Sequence, residues 1–119
     1  MEQIIKIINI ANAEHYNWGN NCDGWHLVNN DKLSIIREKM HPGSSEVMHY
    51  HQKSGQFFYI LSGTACMEVE DKRYILLSSD GIEIPPHIPH RIFNDSSEEL
   101  NFIVVSLPKS HGDRIEVNR

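Results

Sequence analysis

Between Gly43 and Gly63 the chain reads GSSEVMHYHQKSGQFFYILSG, and this stretch limits the possible folds more than any other. His49 and His51 stand two residues apart, and Gln56 opens the apolar run FFYIL, which ends at the turn Ser62-Gly63. In an extended backbone, residues i and i+2 share a face, so both imidazoles point one way and Tyr50 the other. The same parity puts Gln56, Phe58 and Ile60 on one face, with Phe57, Tyr59 and Leu61 opposite. A loop through Gly55 can bring Gln56 alongside the histidine pair. Three ligand-capable groups then converge from one hairpin, which is a metal-site geometry rather than a core geometry.

The rest of the chain is punctuated in the same way. IIKIINI at the start reads as a β-prone segment or edge strand, and AEHYNWGNNCDGWHLVNN as loop and turns with a short strand at Trp25–Val28. LSIIREKM is a strand stopped by Pro42-Gly43, and TACMEVE, RYILL, GIEIP, HRIFN and LNFIVVSL complete the set before a polar, extended tail. No apolar stripe of helical period runs longer than about ten residues. Roughly seven to nine short strands, each ended by Gly, Pro, Asn or Ser, describe an all-β antiparallel sandwich or barrel.

At 119 residues the chain is expected to form a single domain (residues 1–119), with its barrel core at about 32–107. A net charge of −5 argues against nucleic acid as a partner, since binding it needs a basic face. No apolar run approaches the roughly 20 residues that span a bilayer, and MEQIIKIINIANAEH lacks a basic leader, so no membrane partner and a cytoplasmic location are expected. Cys22 and Cys66 form no CxxC pattern and are read as free thiols.

The histidine stretch resembles the first motif of the cupin superfamily: Gly, five residues, His-x-His, three or four residues, Glu, six residues, Gly. Gly43, His49, His51 and Gly63 fall in register, with Gln56 where Glu is usual. PPHIPHRIFN resembles the second motif, Pro-x-Gly-x-x-His-x-x-x-Asn, through Pro85, His90 and Asn94. His87 stands where that motif has Gly, and Ser79 where its leading Gly falls, with Gly81 shifted by two. The resemblance implies a double-stranded β-helix, an RmlC-like jelly-roll β-barrel. It also implies one divalent transition metal at the centre, held by His49, His51, Gln56 and His90. Imidazoles with one amide oxygen suit Zn, Ni, Fe, Mn or Co alike.

Gln56 supplies a neutral carbonyl oxygen in place of a carboxylate and cannot act as a base. Phe58, Met40, His87 and Asn94 are expected to contact a small-molecule ligand. His87 has two readings, one over the metal at the rim and one as a solvated loop residue. His15, His26, His41 and His111 lie outside both motifs. Trp18 and Trp25 read as core or subunit-contact anchors, and Asp113-Arg114 as an exposed or intersubunit ion pair. One or two of Arg37, Glu38 and Lys39 can reach the pocket mouth, but parity does not say which, and no inward carboxylate base is identifiable. The apolar set Phe57, Tyr59 and Leu61 needs cover, so a homodimer is expected. A small metal enzyme (dioxygenase, isomerase or cyclase) and a non-catalytic binding or sensing protein both remain open.

Overall fold

The computed structural model describes residues 5–110 and 112–117. Eleven strands are found among them: β1 (Glu14–Trp18), β2 (Cys22–Asn29), β3 (Ser34–Met40), β4 (His49–His51), β5 (Gly55–Ser62), β6 (Ala65–Val69), β7 (Lys72–Leu76), β8 (Gly81–Ile84), β9 (His90–Phe93), β10 (Leu100–Leu107) and β11 (Arg114–Glu116). They form two antiparallel sheets, β1-β2-β3-β10-β5-β8 and β11-β4-β9-β6-β7, as in a jelly roll. Among the described residues no helix is long and apolar enough to cross a membrane.

Parity along β5 follows the sequence pattern. Gln56, Phe58 and Ile60 are buried, while Phe57, Tyr59 and Leu61 are exposed. Phe58 and Ile60 pack with Met40, Phe102 and Val104 of the six-stranded sheet, against Ala65, Met67 and Ile92 of the five-stranded one. The core fills one end of the sandwich; the other end stays open between β3, β10 and β5 on one side and β4 and β11 on the other.

Three local expectations are corrected. Residues 5–9 of IIKIINI are not strand, while Ile4 lies outside the described residues. The stretch read as loop contains β1 and the start of β2, a hairpin in register from Glu14↔His26 to Trp18↔Cys22. Gly24 explains it: a Cβ there would collide with the Tyr16 ring, so the glycine that looks like a loop signal is the floor on which Tyr16 lies. Asp113 and Arg114 do not pair with each other. The Asp113 carboxylate accepts the backbone N–H groups of Gln52, Lys53 and Ser54 at 2.9–3.2 Å, and Arg114 lies 3.7 Å from Glu116.

Candidate metal centre

His49 and His51 project from β4 with the period of an extended strand, and β9 places His90 directly opposite His49. Their ring nitrogens include one atom each within 4.8 Å of the others, and all three side chains are buried. Ring centroids lie 4.6 Å apart for His49 and His90 and 5.1 Å for His49 and His51. Second contacts fix two of the rings. Nδ1–H of His49 donates to the Val47 carbonyl at 2.7 Å, and Nδ1–H of His90 to the Ile88 carbonyl at 2.9 Å. Each bond leaves the Nε2 lone pair free to coordinate.

Gln56 completes the group from the opposite sheet. Its Nε2 donates to Ser106 Oγ at 3.0 Å, and its Oε1 lies 3.0 Å from His90 Nε2. With Nδ1 protonated, that contact sets two lone pairs facing each other, an arrangement that a cation between them relieves. His51 carries the other sign of an ion site: both its ring nitrogens are buried with no hydrogen-bond partner among the described residues. Burial, the Arg114 cation and mutual repulsion hold the rings neutral. The imidazole of His49 is pushed down to about 3, that of His90 to about 4, and that of His51 also falls. Neutral imidazoles at physiological pH are metal-ready. The residues therefore fit a divalent ion.

The site opens into a cavity of about 320 Å³. Ile36 and Glu38 of β3, Val104 and Ser106 of β10, and Gln56 and Phe58 of β5 line one side; His49, His51 and Arg114 line the other, and Tyr16 and Trp18 of β1 also belong to the lining. Among the expected ligand contacts, Phe58 lies in this lining. Met40, His87 and Asn94 do not. Met40 is fully buried in the core. Asn94 ties a turn: its Nδ2 donates to the Met40 and Glu98 carbonyls, and its Oδ1 accepts from Ser96. His87 is exposed, with its backbone N–H donating to the His51 carbonyl at 2.7 Å. Its φ is +71°, and Ser79 has +74°, so both residues that replace motif glycines keep a glycine conformation.

The cavity also holds what the sequence reading missed. Glu38 and Glu46 both line it. Tyr16 Oη donates to Glu38 Oε2 at 2.7 Å, and Glu46 Oε1 accepts the Ile92 N–H at 3.0 Å. Loss of solvent pushes the Glu38 carboxyl up to about 7 and that of Glu46 to about 8, the latter helped by repulsion from Glu38. The signal for Glu38 was the alternation Ser34, Ile36, Glu38, Met40, whose inward face shows only once β10 is known to pair with β3. His15, His26 and His41 sit away from this lining, with His15 bonded to Asp23, and His111 lies outside the described residues.

Comparison with known proteins agrees with this architecture. A cupin-domain family model matches residues 36–106. An uncharacterised protein, MJ1618, of Methanocaldococcus jannaschii is 33% identical over 98 residues, covering 67% of this chain and 78% of that one. The polyketide cyclase RemF from Streptomyces resistomycificus superposes with a TM-score of 0.82 at 16% identity, covering 98% of this chain and 87% of RemF. A predicted oxalate decarboxylase, tm1287, from Thermotoga maritima gives 0.79 at 21% identity, covering 87% of this chain and 100% of that one. At such identities these two likenesses speak for the fold. The sequence match spans both histidine motifs and the strands that carry them: the chain belongs to the cupin family.

Proposed function

We propose that this cupin is a metal-dependent enzyme acting on a small oxygenated molecule, its divalent ion held by His49, His51, His90 and Gln56. One observation carries the reading. Three neutral imidazoles converge beside a cavity, and one of them has both nitrogens unpartnered among the described residues. A bound ion there supplies Lewis-acid chemistry, polarising a substrate oxygen. The chain's own residues do the rest: Phe58, Ile36 and Val104 exclude water, and Ser106 and Tyr16 orient the ligand amide and a carboxyl. The binding-only alternative drew its support from a pocket without an inward carboxylate, and Glu38 and Glu46 remove that support. We place the protein in the cytoplasm, where its buried free thiols Cys22 and Cys66 stay reduced.

The test is elemental analysis of untagged protein, before and after loading with Zn, Ni, Mn or Fe(II). One ion per chain is expected, lost in His49→Ala/His51→Ala with the far-UV spectrum unchanged, because apolar burial holds the sandwich. No ion in wild type under any loading condition overturns the assignment.

A further inference from the structure

The metal ligands leave one half of the cavity unexplained. Across β1, β2 and β3, Tyr16 pairs with Gly24 and Gly24 with Glu38, so the three form one row. Because Gly24 has no side chain, the Tyr16 ring crosses over it and the hydroxyl reaches Glu38 Oε2 at 2.7 Å. Oε1 of the same carboxyl takes no hydrogen bond from the described residues, and Glu38 lines the cavity. One oxygen is anchored and the other is left for a ligand. The carboxylate is half-buried and shares the cavity with a second acid, Glu46.

We propose that Glu38 is the proton-transfer group of this cavity, positioned by Tyr16 across Gly24, and that the substrate is a small carbonyl compound with an enolisable C–H bond. The inference rests on the reading of the cavity as an enzyme site and names its reaction class. The step needs no oxidant. The C–H bond next to the carbonyl breaks, its electron pair forms the C=C bond of an enolate while the C=O π pair moves to the oxygen, and the proton goes to Glu38 Oε1. Return of a proton from Glu38 to the same carbon, as the carbonyl re-forms, restores the carboxylate, so the net change is exchange of that hydrogen with solvent or inversion at that carbon.

The surroundings suit the task. Across the cavity from Glu38 stand Tyr16 of β1, Glu46 ahead of β4, His49 and His51 of β4, and Arg114 of β11. Burial keeps Tyr16 protonated, well above the ordinary phenol range, so it stays a donor throughout. The three imidazoles stay neutral, and Arg114 is the nearby cation. Desolvation brings Glu38 to about 7, where acid and base forms coexist at neutral pH, as proton transfer in both directions requires.

The experiment follows deuterium uptake from D2O into the methylene group of hydroxyacetone by proton NMR, with carbon-13 titration of the glutamate carboxyls and metal content measured on the same samples. Wild type is expected to catalyse exchange with a rate whose rising limb matches the midpoint of one carboxyl titrated on the same sample, about 7 in the ion-free protein and lower once a dication is bound. Glu38→Gln should lose about 100-fold of that rate, the usual contribution of a general base, with metal content unchanged. Tyr16→Phe and Gly24→Ala, which remove or displace the hydroxyl, should move both the Glu38 midpoint and the rising limb to higher pH; a merely structural role would shift neither. Exchange absent in metal-loaded wild type, exchange kept within twofold in Glu38→Gln, or a Glu38 midpoint near 4.5 in the ion-free protein overturns the proposal while leaving the metal assignment standing. Glu38-dependent exchange in protein that holds no ion supports the proposal and overturns the metal reading instead.

Discussion

Gln56 Oε1 lies 3.0 Å from His90 Nε2, although 34 residues separate them and each belongs to a different sheet. The contact spans the sandwich where it opens. Below it, β5 pairs with β10 so that Gln56 and Ser106 are direct neighbours; above it, β9 sets His90 against His49. Because Ser106 holds the amide nitrogen, the amide oxygen is what faces the imidazoles. The site is thus assembled by sheet-to-sheet packing, not by the hairpin alone.

Gln56→Glu should therefore tighten the ion. A carboxylate in the same buried place adds a negative charge beside a dication. We expect at least about tenfold higher affinity, or about 1.4 kcal/mol, in chelator competition. Weaker retention than wild type would show that residue 56 is not a ligand.

Stability of the ion-free protein should depend on pH in a way that separates the histidines from the glutamates. The folded state holds His49 at about 3 and His90 at about 4, against 6.5 when unfolded, so the unfolded chain binds more protons below pH 6.5 and stability falls as the pH drops. Glu38 at about 7 and Glu46 at about 8, against 4.5, have the opposite sign: their contribution is complete below pH 4.5 and is lost as pH rises through 7 and 8. The two effects oppose each other between 4.5 and 6.5, and the glutamates alone act above that. Thermal melts should decline from pH 6.5 to 8.5, and Glu38→Gln with Glu46→Gln should flatten the decline. A melting temperature that rises over this range contradicts the assignment.

How much of this was readable beforehand depended on the range of the interactions. The His-x-His pair and the parity of FFYIL are local consequences of an extended backbone, so they were legible. Glu38 was not, because β3 is apolar on both parities at its start and the pairing with β10 that settles its inward face spans some sixty residues of sequence. Asn94 looked like a ligand contact because it sits in a motif, yet its amide closes a turn. The β1–β2 hairpin was hidden by Gly24, whose missing side chain serves a neighbour across the sheet rather than a turn.

The two motif departures carry a stability prediction. Ser79 and His87 occupy the left-handed region at φ of +74° and +71°, where an L side chain costs about 1–2 kcal/mol. Glycine avoids that cost but loses more entropy on folding, about 0.5–1 kcal/mol. Ser79→Gly and His87→Gly should each stabilise the fold by about 0.5–1 kcal/mol in denaturant unfolding. Loss of stability in both would mean that their side chains matter more than their backbones.

The outward face of β5 should be a contact between two copies of the chain. Phe57, Tyr59 and Leu61 are 41%, 37% and 37% exposed, and their row continues onto Ile103 and Val105 of β10, which pair with Tyr59 and Phe57. A second copy of the same face is the occupant whose apolar surface matches, and a stable dimer needs about 1,200–2,000 Å² in total. Sedimentation should show a dimer at tens of micromolar for wild type and a monomer for Tyr59→Glu. A wild-type monomer rejects the contact.

Asp113 should govern the ion from outside the cavity. Its carboxylate accepts the N–H groups of Gln52, Lys53 and Ser54, the turn that links His51 to Gln56. Those bonds hold its carboxyl below the usual carboxylate range although it sits near the surface. The following residues pair β11 onto β4, with Arg114 beside His51 and Glu116 beside His49. Removing the carboxylate frees three donors and loosens both the turn and the strand next to the histidines. Hydrogen bonds to a charged acceptor contribute about 1.5–3 kcal/mol each when buried, and solvent access here argues for about 1 kcal/mol in total. Asp113→Ala should lower the melting temperature slightly and weaken metal retention severalfold, while Asp113→Asn, which keeps an acceptor oxygen, should recover part of both. If Asp113→Ala retains metal as wild type does, the turn is held by its own packing and β11 has no part in shaping the site.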